Sequence, residues 1–583
     1  MPPGPSIVRG PLTPPPLERT ISDLLNERCT VQPHTLAIAA LQQNQQLLWS
    51  DLRHRVDRLV SGLAALGLSK GHRLGVMLGN RLEYMEIFLA GAELGAYVTL
   101  LNYGYTAQEL VAALKVSQCS ILITTLKTSR YNYQAALECL KRKVSSLEHI
   151  IILPDIDQRN VQLPSGSEFW PYMEVVAGAP LGNPSATPAG SHRDILNLQF
   201  TSGSTGLPKA AALTQYGITN SARYLALRME VTPQDRLLVP VPLFHAFGLI
   251  MGLCVSIASG AAAILPSEYY DPVAALRAVE RYRCTGIYGV PTMMVDMLSH
   301  PDLAKTSRSS LRFGLMAGAP MPDGLLNRAI ATFPLQTVFA SWGMTELSSV
   351  ATMTKTGDPA CKYQTAGQLL PNMAAKIVEP GTGRPVPWGE RGEIVVSGFG
   401  VMHSYYNDPT RTAETLRVHR EDLETGGAGR DPSGALYRWL HTGDEAYVDE
   451  DGYFIITGRI KDLIIRGGEN ISPLEIEARL FEHPQINQAS VFAIPSARYG
   501  EEVAAILELR EENGKIRPSD AQIRGWVQQT LARYKAPAYI WWLGDAEQGV
   551  PATWPTTANG KIRKVKLREL GKRLVAASRR SAL

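Results

Sequence analysis

From about residue 50 the chain alternates between helical and extended periodicity, and this constrains its architecture more than any other feature. Leu52, Val56, Leu59, Val60, Leu63 and Leu66 recur at three- and four-residue steps, one face of a helix, and stop at Gly67. Leu74 to Leu78 follows as a short apolar run of strand length. A helix over Arg81 to about Leu94, a run over Ala96 to Leu101, a helix opened by the capping box Thr106-Ala-Gln-Glu109 and a strand over Ile121 to Thr125 repeat the cycle. Such alternation predicts an α/β fold in which helices cover a parallel sheet. With 45% apolar residues the chain can bury large cores, which excludes a disordered or fibrous protein.

The texture changes near residue 460, where the charged turn Gly458-Arg-Ile-Lys-Asp462 precedes a glycine-rich loop and Ser472-Pro-Leu-Glu475. That tetrapeptide reads as a capping box with proline at the first helical position. Strands over Ala489 to Ile494 and Val503 to Leu509 and a helix opened by Ser519-x-x-Gln522 follow, predicting a small α+β domain over 460–583. Residues 21–459 form the large domain on this reading, and the Pro-rich residues 1–20 a flexible lead-in.

A net charge of +4 carries no electrostatic footprint for nucleic acid. Six scattered cysteines without a C-x-x-C pair suggest neither a zinc site nor a disulfide framework, and the N-terminus lacks a secretory apolar segment. Phe247 to Leu265 is uncharged and long enough to cross a bilayer, but its glycines and serines and the closing Pro266 fit a buried helix running into a buried strand.

The strongest local signal is Thr201-Ser-Gly-Ser-Thr-Gly-Leu-Pro-Lys209, which follows the apolar Ile195 to Phe200. Thr201, Ser202, Gly203, Ser204, Thr205, Gly206 and Lys209 supply backbone N–H groups, hydroxyls and a cation suited to polyphosphate. The spacing is not that of a Walker A loop, and Ala210 stands where a magnesium-binding hydroxyl belongs. Trp342-Gly-Met-Thr-Glu346, Trp439-Leu-His-Thr-Gly-Asp444, Gly458-Arg-Ile-Lys-Asp462, Gly467-Gly-Glu-Asn-Ile-Ser-Pro-Leu-Glu475 and Pro555-Thr-Thr-Ala-Asn-Gly-Lys561 follow in that order.

Together these motifs resemble the adenylate-forming, AMP-binding superfamily, which includes acyl-CoA synthetases, 4-coumarate ligases, luciferases and peptide-synthetase adenylation domains. The similarity runs from about residue 20 to about 570, and the overall look is similar to fungal acyl-CoA ligases of fatty-acid or secondary metabolism. The resemblance implies a large N-terminal domain of two helix-flanked sheets and a distorted β-barrel, with a mobile C-terminal domain. It implies that a carboxylate attacks the α-phosphate of ATP to give an acyl-adenylate and pyrophosphate, with ATP, Mg²⁺ and coenzyme A as cofactor and co-substrates. The 201–209 loop would hold the β- and γ-phosphates, Thr345 would donate to a phosphate oxygen, and Glu346 would hold Mg²⁺, which commonly takes one or two carboxylates plus substrate phosphates.

By the same resemblance Asp444 would accept both ribose hydroxyls and Arg459 would help fix the nucleotide. Trp342, where the family usually has tyrosine, would lie against adenine, with Gly318-Ala319-Pro320 as a further adenine-contacting segment. Lys561 would bridge the substrate carboxylate and the α-phosphate, Lys461 would sit at the interdomain hinge, and Gly467-Gly468 would face the thioester-forming tunnel or simply form a tight turn.

In Pro242-Leu-Phe-His-Ala-Phe-Gly248, His245 stands where amino-acid-activating members place aspartate, so an amino-acid substrate is disfavoured for want of a counter-charge. In acyl-CoA synthetases this histidine lies near the acyl carboxylate. Val290-Pro-Thr-Met-Met294 and Met316-Ala-Gly-Ala319 resemble acyl-pocket linings and favour a short- to medium-chain aliphatic acid. Only 22 residues follow Lys561, so the acyl group is expected to leave the chain as a coenzyme A thioester. The alternatives are a stand-alone enzyme that loads a separate carrier protein, and a non-catalytic acyl- or nucleotide-binding pseudoenzyme; a carrier protein or a pathway acyltransferase is the expected protein partner. A cytoplasmic location is expected, with a peroxisomal one as the alternative because Ser581-Ala-Leu583 is reminiscent of a Ser-Lys-Leu ending.

Overall fold

A computed structural model describes residues 4–156, 163–164, 168–177, 190–201, 209–318, 323–419, 438–496, 498–510, 517–556 and 562–581. The first apolar stripe becomes the helix Trp49–Ala65, which buries Leu52, Val56, Leu59, Val60 and Leu63. The helix Ala107–Ser117 carries its capping box, with Thr106 Oγ1 accepting the Glu109 N–H and Glu109 accepting the Thr106 N–H at 2.8 Å. The uncharged stretch from Phe247 becomes a π-helix, Phe247–Cys254, a short α-helix, Val255–Ser259, and the buried strand Ala262–Leu265. Among the described residues no helix is long and apolar enough to cross a membrane.

The alternating elements build two large sheets. One has the order Ser404–Tyr405, Lys209–Thr214, Ile195–Thr201, Tyr97–Leu100, Arg73–Met77, Ile121–Thr125, His149–Leu153 and Phe169–Pro171. Its strands are parallel from Ile195–Thr201 onward, joined by the helical crossovers that parallel neighbours require. The second has the order Gln368–Leu369, Thr352–Met353, Thr337–Trp342, Phe313–Met316, Gly286–Gly289, Arg236–Leu238, Ala262–Leu265, Leu36–Ala40 and Gln45–Leu48, again parallel at its centre. The expected distorted barrel takes the form of a six-stranded antiparallel sheet of Ile7–Arg9, Met373–Val378, Gly392–Gly398, Trp439–Val448 and Leu416–Arg417, with Phe454–Arg459 beside Trp439–Val448. One hydrophobic core runs through all three sheets.

Beyond the 3₁₀ turn Ile460–Asp462 lies a five-stranded sheet with cores of its own on both faces, built from residues such as Ile464, Val491 and Val503 on one side and Phe492, Ile506 and Leu567 on the other. This is the small C-terminal domain.

Two expectations are corrected. The lead-in is tied down from residue 5 onward: Pro5 bridges to Pro387, Ile7–Arg9 pairs with Met373–Val378, and the prolines act as acceptors. Pro11 O takes the Asn372 N–H at 2.8 Å, Pro14 O takes the Tyr224 hydroxyl at 2.8 Å, and Pro15 O takes Arg223 at 2.6 Å. Proline lacks only the donor half of a backbone pair, so a proline-rich strip can still be bound through its carbonyls. The helix Pro473–Phe481 does start after Ser472, but no capping box closes it. The Ser472 hydroxyl donates instead to Thr457 O, and Glu475 pairs with Lys535 at 2.7 Å.

Candidate active site

Gly286–Gly289, Phe313–Met316 and Thr337–Trp342 are adjacent parallel strands, and three of the segments singled out in the sequence, at residues 290–294, 317–318 and 343–346, leave from their carboxyl ends. Crevices of that kind are where open α/β sheets bind ligands. Trp342 is the last residue of its strand, and its indole N–H donates to Asp444 Oδ2 at 2.9 Å. Asp444, with a side chain only 6% exposed, pairs through Oδ1 with Arg459 Nε at 2.7 Å. Asp444 and Arg459 are cross-strand partners, so the register of Trp439–Val448 on Phe454–Arg459 sets this ion pair. Trp342, Asp444 and Arg459 thus meet, and the tryptophan supplies a hydrogen bond from its ring nitrogen.

Glu346 follows four residues later on the 3₁₀ turn Thr345–Leu347 and is buried. Its Oε1 accepts the Tyr405 hydroxyl at 2.8 Å, and its carbonyl accepts the Met402 N–H at 2.8 Å. Burial first, and the Glu346 carboxylate second, push the Tyr405 hydroxyl above its ordinary pKa, so it keeps its proton and donates. Lys209 Nζ stands over the Tyr405 ring, 5.2 Å from its centroid. Tyr405 therefore links Lys209 to Glu346. Sequence reasoning missed it; the signal was a polar-tipped aromatic, Tyr405, ending the strand Ser404–Tyr405 beside Ala211-Ala212.

The turn behind Glu346 is strained, because Ser348 and Ser349 hold φ of +50° and +94°, a region L-residues rarely occupy. Among the described residues no three His, Cys, Asp or Glu side chains converge as a metal cage. A single buried carboxylate with one oxygen already oriented by Tyr405 fits Mg²⁺ arriving as its phosphate complex, since that ion prefers oxygen ligands and retains waters.

On the acyl side, His245 lies just ahead of the π-helix with its ring 5.3 Å from that of Phe244, whose carbonyl accepts from Gln199 of the first sheet. Phe247 stacks on Tyr288 at 6.1 Å, which seats this segment against the strand Gly286–Gly289. Val290 caps the helix Pro291–Ser299, and Gly318 adjoins Val290, so the two predicted lining segments do come together.

Lys461 is exposed on the turn Ile460–Asp462, whose Asp462 is held by Arg568 at 3.0 Å. Gly467 and Gly468 form a tight connection between Ile464–Arg466 and Glu469–Ile471, a strand-to-strand hairpin with φ of +61° and +93° that favours glycine at both positions. Thr201 and Lys209 face each other across the first sheet. Ser202, Gly203, Ser204, Thr205, Gly206, Ala319, Pro320 and Lys561 lie outside the described residues.

Residues 25–406 match the family model for AMP-binding enzymes, and residues 475–561 match that for the AMP-binding enzyme C-terminal domain. The acyl-CoA ligase SidI of Aspergillus fumigatus is 40% identical over 97% of this chain and 93% of its own length. A mitochondrial medium-chain acyl-CoA ligase of Danio rerio is 32% identical over 97% of this chain and 90% of its own. A crystal structure of an anthranilate CoA ligase in complex with anthranoyl-AMP matches the fold with a TM-score of 0.81 at 22% identity, covering 96% of this chain and 99% of that one.

Proposed function

The chain belongs to the AMP-binding enzyme family, and on that premise we propose that it activates a short- to medium-chain aliphatic acid and passes the acyl group to coenzyme A. It is an AMP-forming acid–thiol ligase. One observation carries the site assignment: a buried carboxylate, Asp444, is gripped from two sides by Trp342 and Arg459 at the strand ends that also deliver Glu346.

In the first half-reaction a carboxylate oxygen of the acid attacks the α-phosphorus of ATP, the bond from that phosphorus to the β-bridging oxygen breaks, and pyrophosphate leaves. Asp444 accepts the vicinal ribose hydroxyls, a match of two acceptor oxygens to two donors. Trp342 lies beside the base and holds Asp444 through its ring nitrogen. Gly318, Ala319 and Pro320 border the adenine. Residues 201–206 and Lys209 receive the β- and γ-phosphates, with Thr345 donating to a phosphate oxygen. Mg²⁺, when bound at Glu346, neutralises phosphate charge, and Tyr405 keeps that carboxylate oriented. Lys561 bridges the acid and the α-phosphate, where one preorganised donor is worth about 10²–10³ in rate.

In the second half-reaction the coenzyme A sulfur attacks the acyl carbonyl, its thiol proton passes to solvent, the bond from the acyl carbon to the phosphate oxygen breaks, and AMP departs. Rotation about Lys461 presents the Gly467–Gly468 hairpin to the pantetheine arm. His245 stands near the acyl carboxylate in the first step and near the adenylate in the second. The flexible thioethers of Met293 and Met294 pack into the apolar cluster that includes Phe247 and Val290, which supports an aliphatic acid; the Danio rerio relative's medium-chain name agrees.

The experiment is pyrophosphate release from purified protein with Mg-ATP across aliphatic, hydroxy, aromatic and amino acids, with and without coenzyme A. Turnover that requires coenzyme A and peaks with an aliphatic acid is the expected result. A stoichiometric burst indifferent to coenzyme A would transfer the acceptor role to a carrier protein, and silence with every acid would leave a binding protein.

A further inference from the structure

Asp444 does not sit in a regular ladder. Glu393 pairs with Glu445 and Val395 pairs with His441, so Ile394 alone faces the three residues Thr442, Gly443 and Asp444. This is a bulge, a device that re-aims side chains, and it occurs where the ribose-binding carboxylate is delivered. Gly443 has φ of +69°. Thr442 Oγ1 donates to Ile394 O at 2.6 Å and accepts the Asp444 N–H at 3.1 Å. The two oxygens of Glu393 then close the loop from both sides. Oε1 accepts the Gly443 N–H at 2.9 Å, and Oε2 accepts from His441 Nδ1 at 2.9 Å. His441 Nε2 in turn meets His419 Nε2 at 3.1 Å, and the His419 ring stacks on Trp439.

We propose that Glu393 is a positioning residue for the nucleotide step, whose carboxylate spans and fixes the bulge that aims Asp444 at the ribose. This rests on the reading of Asp444 given above. Glu393 acts through one backbone N–H and one imidazole. The side chain is 10% exposed, so water is a poor substitute for it. Burial opposes its ionisation, yet the hydrogen bonds from His441 and Gly443 outweigh burial and hold its carboxyl below the ordinary value.

The test compares kcat and KM for ATP and for 2′-deoxy-ATP in the full-length enzyme carrying Glu393→Ala, Glu393→Gln, Glu393→Asp or Asp444→Ala. Wild type should prefer ATP, and Asp444→Ala should abolish that preference. Glu393→Ala should raise KM for ATP on the order of 10- to 100-fold, with kcat little changed, and should shrink the preference in the same direction. Glu393→Gln should restore it, because its carbonyl still accepts from Gly443 and its amide can donate to the other His441 tautomer. Should Glu393→Ala fail to fold, Glu393→Asp carries the test: one methylene too short to span both partners, it should lose part of the preference. A wild-type preference in Glu393→Ala or Glu393→Asp, alongside its collapse in Asp444→Ala, overturns the positioning role alone. A wild-type preference in Asp444→Ala overturns the ribose reading and this inference with it.

Discussion

Replacing Asp444 with asparagine keeps the shape of the side chain and removes an acceptor. Oδ2 faces the Trp342 N–H at 2.9 Å and Oδ1 faces Arg459 Nε at 2.7 Å, and both groups can only donate. Whichever way the amide is turned, its NH₂ meets a donor. A hydrogen bond to a charged group contributes about 1.5–3 kcal/mol, and Asp444 is nearly buried while Arg459 is 44% exposed, so the amide will turn its NH₂ towards the better-solvated arginine. At about 1.4 kcal/mol per decade, Asp444→Asn should raise KM for ATP roughly 10- to 100-fold, while KM for the acid moves little. Initial-rate pyrophosphate release at saturating acid and coenzyme A measures this directly. Trp342→Phe removes one of the two donors, so the double variant should be less impaired than the two single losses combined. An Asp444→Asn enzyme with unchanged ATP dependence, or strictly additive losses in the double variant, would refute the geometry described for this carboxylate.

Tyr405→Phe takes away the hydroxyl that orients buried Glu346 and should raise the half-saturating Mg²⁺ concentration about tenfold, while thioester formation from supplied acyl-adenylate is unaffected; titration of Mg²⁺ at fixed ATP distinguishes this from general damage. Burial opposes ionisation of Glu83, but Arg81 at 2.9 Å outweighs it and holds the carboxyl down, as His441 does for Glu393. These carboxylates therefore add stability above the ordinary carboxylate pKa and lose it as pH falls through their lowered values, so the urea midpoint should drop below about pH 4.5, with a smaller drop in Glu83→Gln. Deleting residues 1–12 removes the strand Ile7–Arg9 and its pairing with Met373–Val378, and should lower Tm by about 2–4 °C; an unchanged Tm would show that the strip contributes no stability.

Local signals in this sequence were legible wherever their partners lay nearby. Thr106 and Glu109 close a capping box three residues wide, and the helix starts where that pattern puts it. Ser472 and Glu475 carry the same pattern, yet their side chains serve Thr457 and Lys535, and no window of four residues holds that information. The family motifs named Asp444, Trp342 and Glu346 but not what orients them. Glu393 lies 50 residues from Gly443, and strand register brings them together; Trp342 lies 102 residues from Asp444 in a different sheet, and only the packing of one sheet on the other joins them. The proline-rich start misled because composition records proline's missing donor and is silent on its carbonyl.

Arg459, which braces Asp444, is the last residue of its strand, and the turn Ile460–Asp462 begins at the next peptide. No spacer separates the nucleotide grip from the proposed pivot at Lys461, so neither can be altered without loading the other. Coupling of this kind is reciprocal: the factor by which a rotated small domain weakens AMP binding equals the factor by which bound AMP opposes rotation. If the small domain turns at this joint, the strand end that braces Asp444 turns with it, and affinity for the nucleotide becomes a function of the domain's orientation.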